Sequence, residues 1–78
     1  MNDDVLSLIV AELKAQDKKW GANRIMPHRQ WLTILIEEVG EVARAIIEHE
    51  PEQVQAELIQ VIAVGIQWLK SLRRGANE

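Results

Sequence analysis

Apolar residues recur along this chain every three or four positions, not every two, so the pattern predicts helices and no strand. Val5, Leu6, Ile9, Val10 and Leu13 follow Asp3 and Asp4, two acids suited to capping a helix start, which predicts a first helix over about residues 4–19, ending near Gly21. From Gly21 to His28 the period is lost and both Gly and Pro occur, so an ordered loop is expected there. A second helix is predicted over about 28–49. Pro51 suits the first turn of a third, where its missing N–H costs little; periodicity then runs to a basic last turn and a stop at Arg74-Gly75, giving about 51–74.

Within the second helix Leu32, Leu35, Val39, Val42 and Ile46 step by three and four like a coiled-coil seam. Val54, Leu58, Val61, Gly65, Trp68 or Leu69, and Leu72 do the same in the third. These two helices are expected to pair antiparallel through the short turn at Glu50-Pro51. Beside each seam runs a second stripe with the same stepping, Ile34, Glu38, Glu41, Ala45 on one helix and Gln53, Glu57, Gln60, Val64 on the other. Gly40 and Gly65 each cost about 1 kcal/mol of helix propensity relative to Ala, so a compensating close approach of another helix is expected.

Length changes the picture. A chain of 78 residues makes one domain, 1–78, able to bury only about 60–65% of the surface it exposes when unfolded. With no cysteine, further stabilisation is left to a hard-metal site or to association. The expected architecture is therefore all-α: a three-helix subunit whose antiparallel pair builds the helical bundle of a homodimer or homotetramer. No apolar run approaches the roughly 20 residues that span a bilayer and MNDDVLSL carries no basic leader, so a cytoplasmic protein without a membrane partner is expected. The net charge of −3 argues against nucleic acid polymers. The basic clusters Lys18, Lys19, Arg24, Arg29 and Lys70, Arg73, Arg74 are of a size to hold a phosphate chain.

The acids carry the chemistry. At about 100° per residue Glu37, Glu38 and Glu41 share one arc of the second helix, while Glu57 and Gln60 lie about 60° apart on the third, so five oxygen-bearing side chains can face one another. Carboxylates gathered beside apolar neighbours repel unless some are protonated or a cation neutralises them. Oxygen ligands without Cys suit Mg²⁺ or Mn²⁺, and Mg²⁺ takes phosphate oxygens as further ligands. The competing reading is a solvated acidic helix face.

Lys19-Trp20-Gly21, then Ile36-Glu37-Glu38-Val39-Gly40-Glu41-Val42-Ala43, then Glu57-Leu58-Ile59-Gln60-Val61, together resemble the MazG-like nucleoside triphosphate pyrophosphohydrolases, an all-α family. The family pattern is EExxE on one helix and ExxD on the next. The resemblance implies Mg²⁺-dependent hydrolysis of a nucleoside triphosphate to monophosphate and pyrophosphate, in a site built where subunits meet. It implies Glu38, Glu41 and Glu57 as metal ligands, with Gln60 in the fourth position and Glu37 assisting catalysis beside Glu38. Gln60 stands where the family has Asp; its amide still offers an oxygen, but one negative charge is lost. The alternative is a non-catalytic oligomerisation or nucleotide-binding module.

Trp20, between the lysines and Gly21, has two readings: stacking on a base while Lys19 approaches the phosphates, or packing of the helix end onto the bundle. Trp31 and Trp68 lie on apolar faces and are expected in core or interface. His28 and His49 are isolated and stay outside the catalytic set. Lys70 is placed either on phosphates, in a neighbouring subunit's site, or at a solvated helix end.

Overall fold

The structure is a computed structural model that describes residues 3–75. Three helices, α1 (Asp3–Trp20), α2 (His28–Ile47) and α3 (Pro51–Arg73), account for nearly all of it, and no strand occurs among the described residues. The cap expected of the Asp3 side chain lies outside the described side chains.

Each boundary has a local cause. Gly21, at φ 94°, takes the left-handed conformation after α1 and sends its N–H to the Asp17 carbonyl at 2.8 Å. Pro27 occupies the extended position before α2. α2 stops two residues before the expected end because His49 turns left-handed, at φ 57°. Glu50 N–H then reaches back to the Ala45 carbonyl (3.0 Å) and His49 N–H to that of Ile46 (3.1 Å), the paired bonds of a Schellman close. Pro51 opens α3 without leaving a helix donor wasted.

α2 and α3 pair antiparallel. Near the turn the Glu38 and Glu57 carboxyls meet; at the far end Trp68 Nε1 donates to His28 Nδ1 at 3.1 Å, and the Met26 N–H donates to Ser71 Oγ at 3.3 Å. α1 packs on α3, where Gln67 Nε2 donates to Asp17 Oδ1 at 3.0 Å. The two histidines thus hold structural posts, one latching the ends of α2 and α3 together and the other turning the chain between them.

The core is small: Trp31, Ala45, Ala63 and Val64, with the polar Gln16, Gln67 and Ser71 buried among the helices. The expected seam is corrected here. Leu32, Val39, Ile46, Leu58 and Leu69 are exposed, Leu69 at 61%, while Leu35, Val42, Val54, Val61, Trp68 and Leu72 are half-buried, and full burial falls on the neighbouring stripe at Ala45 and Val64. The two apolar stripes on each helix lie one residue step apart, and both satisfy helical periodicity. Gly40 and Gly65 are corrected as well: a Cβ at either would meet nothing within 4 Å, so no helix of the same chain approaches them closely.

Candidate metal and nucleotide site

The stripe that pairs α2 with α3 carries acids as well as alanine and valine, so folding the pair drives carboxylates against each other. Glu38 from α2 and Glu57 from α3 come within hydrogen-bonding reach. Burial first, then the Glu57 charge and its hydrogen bond, then the charges of Glu41 and Glu12, hold the Glu38 carboxyl above the ordinary glutamate range. Glu57 is itself steadied by Gln53, whose Nε2 donates to Oε2 at 3.2 Å.

Glu41 stands one turn along α2 and is engaged by Arg44 in an exposed ion pair. A polar groove of about 280 Å³ opens beside them, lined by Glu41, Arg44, Gln53 and Glu57 and continuing to Glu48 and Glu50 at the turn. Gln60 is half-buried on α3, one turn beyond Glu57, while Glu37 is exposed on α2. Among the described residues no three His, Cys, Asp or Glu side chains form a ready-made metal cage. Glu38 and Glu57 face each other, and Arg44 pairs with Glu41. A Mg²⁺ ion is commonly held by one or two carboxylates plus waters and substrate phosphates, so a close carboxyl pair is a donor set of the right kind.

The cationic and aromatic candidates gather elsewhere. Trp20 is half exposed at the end of α1, with Lys19 Nζ 4.7 Å and the Arg24 guanidinium 5.6 Å from its ring centre. Arg24 also lies 5.0 Å from the ring of Trp31, so it bridges the two indoles. Lys70 is half-buried in the last turn of α3, ten residues and about 15 Å beyond Gln60 along the helix. The structure therefore joins Glu38, Glu41 and Glu57, keeps Gln60 beside them, and leaves Lys19, Trp20 and Lys70 towards the other end of the molecule.

Arg44 and Glu12 were not expected here, and Gln53 was expected only as a member of the acidic stripe. Arg44 and Gln53 order Glu41 and Glu57, and from α1 Glu12 comes near enough to act on Glu38. The available signal was polar residues on an apolar face: Glu12 and Gln16 fall at helical spacing with Ile9 and Leu13.

A protein-family model, the MazG nucleotide pyrophosphohydrolase domain, matches residues 26–75. The chain belongs to the MazG family. The MazG match begins in the loop before α2 and takes in α2 and α3 with all of Glu37, Glu38, Glu41, Glu57 and Gln60; α1, with Lys19 and Trp20, lies outside it. No curated protein and no solved structure matches the chain. MazG domains are in general divalent-metal-dependent nucleotide pyrophosphohydrolases, which agrees with acids brought together on the matched helices.

Proposed function

We propose that this MazG domain hydrolyses nucleoside triphosphates to the monophosphate and pyrophosphate, using Mg²⁺ or, in its place, Mn²⁺. The observation that carries the reading is the Glu38–Glu57 carboxyl pair, formed across α2 and α3 inside the family match, with Glu41 one turn away. Releasing these products requires water to add to the α-phosphorus while the bond to the bridging oxygen of the β-phosphate breaks, with one proton lost. When bound, a divalent cation neutralises charge developing on the phosphoryl oxygens and lowers the pKa of the attacking water.

The chain's own contribution is placement. Glu38, Glu41, Glu57 and Gln60 would hold the ion, Glu38 giving up its proton and Glu41 leaving Arg44 in order to do so. Glu37 orients the water, beside Glu38 in the catalytic set. Trp20 offers an accessible indole face to the base, and Lys19 and Lys70 are cations for the phosphates.

The distance from Lys70 to the acids within one chain favours a site completed by a second copy. Surface area supports the same assembly: the chain exposes 5540 Å², against about 4,800 Å² expected of a monomer of 8.9 kDa. The excess is close to the roughly 800 Å² per partner of a standard interface. Much of it is apolar, with Leu32, Ile36, Val39 and Ile47 on α2 and Leu58, Ile62 and Leu69 on α3. A homodimer or homotetramer through these faces is the proposed form, and no helix among the described residues is long and apolar enough to cross a membrane.

The test is pyrophosphate release from NTPs and dNTPs with Mg²⁺ or Mn²⁺ by the native protein, Glu38→Gln and Gln60→Asp. Release abolished by Glu38→Gln supports the reading. Silence of the native protein with activity in Gln60→Asp marks a binding-only member, and silence in all three overturns the enzyme.

A further inference from the structure

The fold merges two basic clusters that lie far apart in sequence. Lys18 and Lys19 end α1, Arg24 sits in the loop, Arg29 starts α2, and Lys70, Arg73 and Arg74 end α3. Three contacts tie these ends to each other: Gln67 with Asp17, the Met26 N–H with Ser71, and Trp68 with His28. Of the nine Lys and Arg in the chain, all but Lys14 and Arg44 thus stand at one end of a bundle measuring 39 × 27 × 23 Å. α3 alone runs about 34 Å, so this end is one of the small faces. Among its described residues Asp17 is the one carboxylate, and its Oδ1 is taken by Gln67. None of these cations forms an ion pair with a described residue; the pair that does form is Arg44 with Glu41.

Helix electrostatics accounts for part of this gathering. Cations in the last turns of α1 and α3 meet the negative ends of the helix dipoles, which covers Lys18, Lys19, Lys70 and Arg73. It does not cover Arg29, in the first turn of α2, where the dipole is positive, no acid is present and no side chain caps the helix. Nor does it cover Arg24, whose guanidinium lies against the Trp20 and Trp31 rings and has no hydrogen bond or ion pair with a described residue. Like charges crowded onto one face repel, and a bound polyanion relieves the repulsion. The half-exposed Trp20 indole among them selects the kind of polyanion, because an aromatic face beside cations lets a base stack while phosphates are neutralised. Lys19 and Lys70 are assigned above to the phosphates of a free nucleotide, which leaves Lys18, Arg24, Arg29, Arg73 and Arg74 for a longer run of phosphates. We infer that this end of the bundle binds single-stranded nucleic acid, Trp20 stacking on a base and the surrounding cations taking successive phosphates. The overall charge of −3, which argued against a nucleic acid polymer, averages over a chain whose cations and acids the fold separates. Neither a metal nor the Glu38–Glu57 pair takes part, so the inference stands apart from the hydrolase reading.

Fluorescence anisotropy of a fluorescein-labelled oligothymidylate of about 15 nucleotides tests this, in EDTA so that no divalent ion is bound. Binding is expected, and engagement of about four phosphates would weaken it about 50-fold between roughly 50 and 200 mM salt. Arg29→Gln is expected to lower both affinity and salt slope; Lys14→Gln, the same charge change away from this end, is expected to alter neither. Trp20→Leu is expected to weaken binding roughly 10-fold with the salt slope kept. All three side chains are exposed, so native-like melting temperatures are expected, which keeps lost binding apart from lost fold. Inorganic polyphosphate that displaces the strand as well as unlabelled oligothymidylate does, together with native-like binding by Trp20→Leu, overturns strand recognition in favour of a general anion face. Equal loss in Lys14→Gln and Arg29→Gln, or no binding by the native protein at the lower salt, overturns the basic end as a binding surface.

Discussion

Glu38 on α2 and Glu57 on α3 approach within hydrogen-bonding reach across an antiparallel helix pair, a contact that favours a proton on Glu38. In a structural bundle that position would be better filled by Leu or Ala. An acid kept where it repels its neighbours is understandable if a cation relieves the repulsion, so this contact costs stability in the metal-free chain and provides the binding site in the loaded one.

The cost has a sign in pH. Glu38 titrates higher in the folded chain than the ordinary glutamate value near 4.3 of the unfolded chain, so the folded state holds more protons between those two points. Metal-free stability should therefore fall as pH rises from the unfolded value through the raised one, and stay lower towards neutrality. Glu38→Gln removes this dependence and should melt higher than native at pH 7 while losing metal binding. Thermal melts from pH 4 to 7 in EDTA decide it; parallel curves for the two proteins would sink the argument.

Metal should restore what repulsion removes. An ion that binds only the folded state at 100 times its Kd stabilises by about 2.7 kcal/mol, which for a domain of this size is on the order of 10 °C in melting temperature. Mg²⁺ and Mn²⁺ should each raise the native melting temperature at neutral pH, and EDTA should reverse it. Glu38→Gln and Glu57→Gln should show little rise, and an equal rise in all three would place the ion elsewhere.

Arg44 competes for the same acids. Its ion pair with Glu41 is exposed on both sides, so Arg44→Gln should leave the fold almost undisturbed while freeing Glu41 for a cation. Calorimetric titration with Mn²⁺ in the absence of nucleotide should show tighter binding by Arg44→Gln than by native protein. Weaker binding would mean that Arg44 positions Glu41 for the metal and does not compete with it.

Helix number, order and limits were legible because punctuation is local: Gly21, Pro27 and Pro51 impose backbone geometry that neighbours cannot override. The acids on α2 and α3 were legible for a related reason, since spacing along a rigid helix fixes which side chains share a face. Rotation about the helix axis was not. Leu32 and Val39 satisfy the same period as Ile34, Glu38 and Ala45, and only packing decides which stripe meets α3. Spacing marked Glu12 as polar on the apolar face of α1, but that its charge acts on Glu38 depends on where α1 docks, a long-range result.

The exposed stripes make a last prediction about assembly. Gly40 lies on the outward face of α2 with Ile36, Ala43 and Ile47, and Gly65 on that of α3 with Leu58, Ile62 and Leu69. Nothing in the same chain needs either glycine, since an added Cβ meets open space at both. In an isolated chain Gly40→Ala should therefore gain roughly 1 kcal/mol of helix propensity. If a second copy lies against the glycine, the added methyl instead separates two helices and weakens association. With dimer or tetramer as the proposed form, sedimentation equilibrium should show Gly40→Ala and Gly65→Ala dissociating at higher protein concentration than native. A rise in melting temperature with unchanged association would put the interface on another face.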